Sequence, residues 1–386
     1  MFAALPRIWL DAPRRRDQEG LGVAHYAKTL SGTLDALGGK PALVRDAPLG
    51  DTRRQDRVTA WLRAQRSGPR PLAALETDGG WRSDLFAEAQ SYFNRHGRLL
   101  EITARSPPQI MHWTYPVPLA MAGTRNLYTI HDLIPLQRPD LTGIDPRRHR
   151  RLLDAILGRA DQLVTVSEHS RRALIDTLGA PPEAVTNTWQ AAMDAVHGIR
   201  SDAPPAGLPS GGYLLAIGAV DPRKNLVRLA RAWRQSGTSL PLVIAGPDGW
   251  KSRVVLRDLP TDPAPIRMPW LDRPALLDLI AHARALLFPS LAEGFGLPAL
   301  EAMHLGVPVL VARGGALEEV VGEDGLTVTP EDENALAVAI ARLALDEELR
   351  QGLVRAGQRR AQFFSQQAYG SRLAALYRAV AARPLR

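Results

Sequence analysis

The stretch Phe288-Pro-Ser-Leu-Ala-Glu-Gly-Phe-Gly-Leu-Pro-Ala-Leu-Glu-Ala-Met303 governs how the rest of the chain is read. The apolar run Leu286-Leu287-Phe288 reads as a strand ending at Pro289-Ser290, and a helix follows the glycines. Gly294 and Gly296 therefore stand where a strand hands over to a helix. Glycines at such a junction let a ligand approach the backbone, and the new helix presents unpaired N–H groups. An end of that kind binds phosphate or sugar oxygens. Glu293 precedes the helix and Glu301 lies one or two turns inside it. The two carboxylates flank one turn, one suited to each end of an extended ligand. Taken alone, the pair could equally be a helix cap and a solvated surface residue.

The same strand-then-helix alternation runs outward in both directions, which predicts βα units and parallel sheets. Ile8-Trp9-Leu10 reads as a first strand. Gly20-Leu21-Gly22 follows, with a helix beginning near Val23. Leu127 to Ile130 is a strand ending at His131-Asp132, and Gln162 to Val166 is another, ending at Ser167. Residues 197–211 hold Gly, Pro and Ser without periodicity and read as a linker. The pattern then restarts with strands at Tyr213–Ile217, Leu242–Ala245, Leu286–Phe288, Val307–Val311 and Leu326–Val328. A last helix is expected over Gln366–Ala382. Residues 45–105 carry no secure motif. Ligands of such sheets bind beyond the carboxyl ends of the strands, so the residues just after each strand are where chemistry is sought.

Length supports two domains: the chain has 386 residues, against about 100–200 per domain. There are no cysteines, which removes disulfides, thiolate metal sites and a cysteine nucleophile. No apolar run approaches the ~20 residues of a membrane span, and Met1–Leu10 is too short for a signal peptide. These features lead to the expectation of a cytoplasmic protein. The net charge is +8, with the excess mainly in residues 1–200. That excess suits attraction to an anionic membrane face or acceptor, or a solvated Arg-rich surface. The Arg147–Arg151 cluster admits the same two readings. No motif supports nucleic acid as a partner.

Taken together, the Phe-Pro-Ser strand end, the Glu-Gly-Phe-Gly-Leu-Pro turn and the spaced glutamates form a specific pattern. Gly306-Val-Pro-Val, Gly314-Gly315 and Glu319-Val-Val extend it. This pattern resembles the signature of family 4 retaining glycosyltransferases, and the match covers residues 211–345 well. The resemblance implies an α/β, GT-B fold: two Rossmann-like βαβ domains with parallel sheets facing a cleft. Residues 1–198 would form the acceptor-side domain and 206–365 the nucleotide-sugar domain. Residues 366–386 would form a helix packing back on the first domain. The resemblance also implies that Glu293 touches donor sugar hydroxyls, together with the backbone of Gly294, Phe295, Gly296 and Leu297. Glu301 would take the nucleotide ribose.

Three further segments fit this frame. Gly218-Ala-Val-Asp-Pro-Arg-Lys-Asn225 follows a strand and opens a helix, and the resemblance implies that Gly218 lies against the donor. Its adjacent cations Arg223 and Lys224 can neutralise a departing diphosphate, or be surface charge. The family has an arginine directly after the glycine, where Ala219 stands here, so Lys224 transfers more safely than Arg223. Tyr128-Thr-Ile-His-Asp-Leu-Ile-Pro135 places His131 where the family's histidine contacts the donor sugar. Asp132 could hold the imidazole, cap the next helix, or do neither. Gly20-Leu-Gly22 resembles the family's N-terminal glycine-rich loop, with Gly22 near the donor phosphates. It is not a dinucleotide fingerprint, since His25 fills the last glycine position. Trp270 lies where the base should sit and could stack on it or pack. Ser167 could line the acceptor side or cap its helix.

No Asp-x-Asp motif offers metal ligands, so neither metal nor cofactor is expected. Lys224, Arg223 and helix N-termini would stabilise the charge that builds on the departing nucleoside diphosphate. The segments Met-His-Trp-Thr-Tyr-Pro and Ile-His-Asp-Leu-Ile-Pro-Leu look closest to mannosyltransferases of polysaccharide and O-antigen assembly. GDP-mannose is then the leading donor and a glycan on a polyprenyl diphosphate the leading acceptor, with peripheral contact at the inner membrane face. A UDP-hexose donor is the alternative. Rivals of other classes are a non-catalytic GT-B module binding nucleotide-sugar or a partner, and a dinucleotide oxidoreductase. The grouping of His131, Lys224, Glu293 and Glu301 weighs against the first. The missing fingerprint weighs against the second.

Overall fold

The computed structural model of the chain describes residues 5–11, 22–46, 55–74, 79–192, 201, 207–268 and 271–385. The first sheet uses β1 (Ile8–Asp11), β2 (Ala42–Asp46), β3 (Gly79–Arg82), β4 (Ile110–Trp113), β5 (Arg125–Ile130), β6 (Gln162–Thr165) and β7 (Val185–Asn187). Their order is β7-β6-β5-β4-β1-β2-β3, all parallel, with Ala73–Ala74 running antiparallel on the outer edge. The second sheet uses β8 (Leu214–Ile217), β9 (Leu242–Ala245), β10 (Ile266–Met268), β11 (Ala285–Phe288), β12 (Val309–Ala312) and β13 (Leu326–Val328). Its order, β10-β9-β8-β11-β12-β13, is fully parallel. Each sheet therefore grows one way from its first strand and then reverses. A crevice opens at that reversal, beyond the carboxyl ends of the strands.

Both faces of these sheets are covered, which explains why the strands read as unbroken apolar runs. Every residue of β1, β8, β9, β11 and β12 is buried. Strand β12 begins two residues later than the hydrophobic pattern predicts. Pro308 has no N–H to give the ladder; its carbonyl instead accepts from Leu286 at 2.9 Å. The region 45–105 contains more regular structure than the pattern announced. It holds β3, a helix Gln55–Arg63, a helix Leu85–His96 and two short strands of a small separate sheet.

That region is held by a buried carboxylate. Glu88 is fully buried on the helix Leu85–His96 and pairs with Arg70 and, at 3.0 Å, with Arg82. Removing one member of a buried ionic group leaves the others uncompensated, at about 3–5 kcal/mol. Glu88→Ala is therefore expected to lower stability by about that amount in urea unfolding. A loss below ~1 kcal/mol would contradict the account.

The last helix, Gln366–Ala381, is capped by Ser365. It returns to the first domain and packs on the helix Gly22–Ala36. Tyr377 places its hydroxyl 2.7 Å from His112 Nδ1, and His112 Nε2 lies 2.8 Å from Thr129 Oγ1. The turn before this helix puts Phe364 against Phe295 and Phe363 against Trp189. Glu319 adds a polar join between the domains. Its carboxylate accepts the N–H groups of Glu168 (2.7 Å) and His169 (2.8 Å), at the start of the helix Glu168–Leu178. It also accepts the Trp189 indole N–H at 2.7 Å.

Candidate active site in the cleft

Strands β8 and β11 are direct neighbours, with Leu214 opposite Ala285 and Leu215 opposite Leu286. The loops leaving them must meet beyond the sheet edge. After β8 the chain makes a single tight turn, Pro222–Lys224, in which the Lys224 N–H donates to the Asp221 side chain at 3.2 Å. Asn225 then adopts a left-handed conformation, and its side-chain amide donates to the carbonyls of Pro289 and Pro330. The Leu291 N–H donates to the Arg223 carbonyl at 2.8 Å. The two loops are thereby fastened together.

The result is a charged trio. Lys224 Nζ lies 2.6 Å from one Glu293 oxygen and an Arg223 nitrogen lies 2.6 Å from the other. Arg223 also reaches the Ala292 carbonyl at 3.2 Å, and Asp221 at 3.6 Å. Burial opposes the charge on Glu293, but Lys224 and Arg223 outweigh it and hold its pKa at about 2. Burial lowers the pKa of Lys224 despite the pull of Glu293. The lysine stem passes over the Phe288 ring, its Nζ 4.4 Å from the centroid. It also fills the space beside Gly218. A Cβ there would stand 2.5 Å from Lys224 Cε, and the backbone φ is +132°. Gly218 therefore makes room for the lysine.

From the other domain, β5 delivers His131 and Asp132. His131 Nε2 lies 2.9 Å from the Thr114 carbonyl. That contact assigns the proton to Nε2 and leaves Nδ1 with its lone pair. Burial lowers the His131 pKa to about 4, so the ring is neutral at pH 7. Tyr26 packs edge-on against it at 4.8 Å. Asp132 accepts the Ile134 N–H at 3.0 Å, a turn just ahead of the next short helix, whose cap position is Leu133 and has no side-chain cap. Burial raises the Asp132 pKa, and Arg223 and Glu293 are close enough to act on it.

The two halves touch through backbone. A Cβ on Gly294 would lie 2.5 Å from the His131 carbonyl oxygen. Ser170 Oγ donates to that same carbonyl at 2.7 Å and lies 3.4 Å from the Gly294 carbonyl. His131, Asp132, Arg223, Lys224 and Glu293 are thus brought to one crevice. The close approach that the glycine allows is made here by the other domain.

The remaining expected residues divide. Phe295 turns into the core, leaving only its backbone for the crevice. Gly296 precedes the helix Leu297–His304 with φ 113°, and Leu297 packs on the core. Glu301 is 1% exposed and held by two bonds from Arg273, one of 3.1 Å. It is no solvated surface group. Ser167 is fully buried, and its hydroxyl accepts the Ser170 N–H as a helix cap, the second of its two readings. Gly22 is exposed at the start of its helix, while Gly20, Leu21 and Trp270 lie outside the described residues. Among the described residues, no three His, Asp or Glu side chains group as metal ligands.

Sequence reasoning missed Arg273, Ser170 and Tyr26. Tyr26 and Ser170 carry no signal of their own, since each is an ordinary position on an amphipathic helix. Arg273 does carry one: it follows the cap Asp272 in the first turn of the helix Arg273–Ala281, where the helix dipole disfavours a cation.

Comparison with known proteins bears on the family and the fold. Residues 207–360 match the model of glycosyl transferases group 1, and residues 21–186 match that of Glycosyltransferase Family 4. The chain is 30% identical over 312 residues to O-antigen chain mannosyltransferase B of Escherichia coli, covering 72% of this chain and 82% of that one. Sucrose-phosphate synthase of Thermosynechococcus elongatus superposes with a TM-score of 0.70 at 21% identity, over 97% of this chain and 99% of that one. Anabaena HepE in complex with UDP and glucose does so with a TM-score of 0.67 at 15% identity, over 97% and 100%. With its paired parallel sheets, its cleft trio and these matches, the chain belongs to the family 4 glycosyltransferases of the GT-B fold.

Proposed function

We propose that the protein transfers a hexose, with retention of configuration, from a nucleotide diphosphate donor to a glycan or polyprenyl-diphosphate-linked glycan in surface polysaccharide synthesis. The donor we favour is GDP-mannose. The observation that carries the reading is the meeting of Lys224, Arg223 and Glu293 at the strand reversal, opposite His131. The likeness to an O-antigen mannosyltransferase supports mannose and a polysaccharide acceptor. A UDP-hexose is the second reading, supported by the UDP and glucose of a fold neighbour.

In this reading the diphosphate replaces the Glu293 carboxylate as partner of the two cations. Lys224 and Arg223 then stabilise the charge that grows on the leaving phosphate, preorganised and screened from water. Glu293, freed from them, accepts hydrogen bonds from the sugar hydroxyls. Neutral His131 accepts a further one at Nδ1 from the opposite wall. The acceptor attacks from the face the phosphate leaves, and the phosphate helps take its proton. No metal is required, and Gly22 borders the phosphates. The basic N-terminal half meets the anionic acceptor or the membrane face beside it; among the described residues no helix is long and apolar enough to cross a membrane.

The test is a panel of nucleotide sugars, scored first by thermal stabilisation and then by transfer with a chelator present. A ligand at about 100 times its dissociation constant adds ~2.7 kcal/mol of stability. GDP-mannose is expected to stabilise most and to turn over in the chelator. Greater stabilisation by a UDP-hexose would move the donor to the second reading. Loss of activity on chelation would reject the metal-free mechanism.

A further inference from the structure

Arg273 occupies an awkward place. It is the first residue of the helix Arg273–Ala281, directly after the capping Asp272. Pro274 brings no N–H and Asp272 accepts that of Ala275 at 2.9 Å, yet the positive end of the helix dipole still repels a cation placed there. Its compensation is Glu301, from the neighbouring helix Leu297–His304. The guanidinium meets both carboxylate oxygens, one nitrogen to each. Glu301 is 1% exposed while the Arg273 side chain is 35% exposed, so the pair runs from the interior toward the open cleft. On the far side stands His25, in the first turn of the helix Gly22–Ala36. Its Nε2 is buried with no hydrogen-bond partner. Burial, and then Arg273, lower its pKa to about 3.

We infer that Arg273 is a positioning residue that aligns the Glu301 carboxylate for the ribose hydroxyls of the donor. The inference rests on the reading that Glu301 takes the ribose. A ribose diol offers two O–H donors and needs acceptor oxygens fixed in one plane. A carboxylate has about four acceptor positions; the arginine fork uses two and leaves two. The fork sets the plane of the carboxylate, because its two N–H groups are parallel. Without it, a buried carboxylate would rotate or take up a proton, and a protonated carboxyl is a poor acceptor for a diol.

The experiment measures binding of GDP and UDP and of their 2′,3′-dideoxy analogues by calorimetry, with kcat and KM followed in parallel. The wild-type protein is expected to prefer the ribonucleotide. Arg273→Ala should lose about tenfold of that preference, the size of a hydrogen bond to a charged group. It should also raise KM for the donor while leaving kcat at saturation within about threefold. Arg273→Lys, which restores charge without the fork, should recover only part. If Arg273→Ala lowers the melting temperature but keeps the full ribose preference, the positioning role is wrong and the residue is only structural. Glu301→Gln separates the two claims. If it abolishes ribose preference and Arg273→Ala does not, only the inference fails. If Glu301→Gln keeps that preference, the ribose reading fails and takes the inference with it.

Discussion

Glu293→Gln is expected to cut turnover by about 10²–10³, the loss that follows removal of one preorganised stabiliser. Buried Lys224 and half-buried Arg223 share a single carboxylate, each at 2.6 Å. That carboxylate stands where negative charge is wanted. Its removal leaves Arg223 with Asp221 at 3.6 Å and the more distant charge of Asp132. The free protein should therefore lose stability, and a nucleoside diphosphate should restore more stability to the variant than to the wild type. Lys224→Ala should lower turnover by a similar factor but weaken diphosphate binding, the opposite sign. Steady-state kinetics with a thermal-shift titration of GDP and UDP reads both. Wild-type rates in either variant would remove that residue from the reaction. The Glu293 pKa is held at about 2, below its ordinary 4.5. Its contribution to stability is present above pH 4.5 and is lost as pH falls toward 2. Changes in rate between pH 6 and 9 must then arise from other groups.

Gly294→Ala should be as damaging for a different reason. The added methyl would sit 2.5 Å from the His131 carbonyl oxygen, a backbone atom that cannot swing aside. The domains would have to part by about an ångström. A misplacement of that size costs on the order of 10²-fold in rate. The C-terminal sheet and its charged trio are not disturbed by the methyl. Nucleoside diphosphate binding should thus persist while transfer fails, and the donor should be lost to water more often because closure is incomplete. Calorimetry beside a transfer-versus-hydrolysis assay separates these outcomes. Undiminished transfer by Gly294→Ala would show that the contact with His131 is not part of the reacting state.

The parts of this architecture that were legible in the sequence are those set by local periodicity. The apolar runs of β8, β9 and β11 announce buried parallel strands, and Ser167 marks a helix start. The Glu293 turn was visible because glycines between a strand and a helix are a local feature. What could not be read there depends on pairing across the chain. The Glu88 group joins residues from three separate elements. The partners of Glu319 lie some 130–150 positions away. Gly218 was expected to meet a ligand, yet the nearest claim on its space is the stem of Lys224, which only the folded turn reveals. Val307 was assigned to a strand because it is apolar; the proline after it moved the boundary.

The helix Gln366–Ala381 also ties the two ends of the folding problem together. Tyr377, drawn from that helix, completes the hydroxyl–imidazole chain through His112 and Thr129 that ends at Tyr26, the residue backing His131. The first domain therefore completes the support of its own wall of the cleft with residues that follow the second domain in the chain.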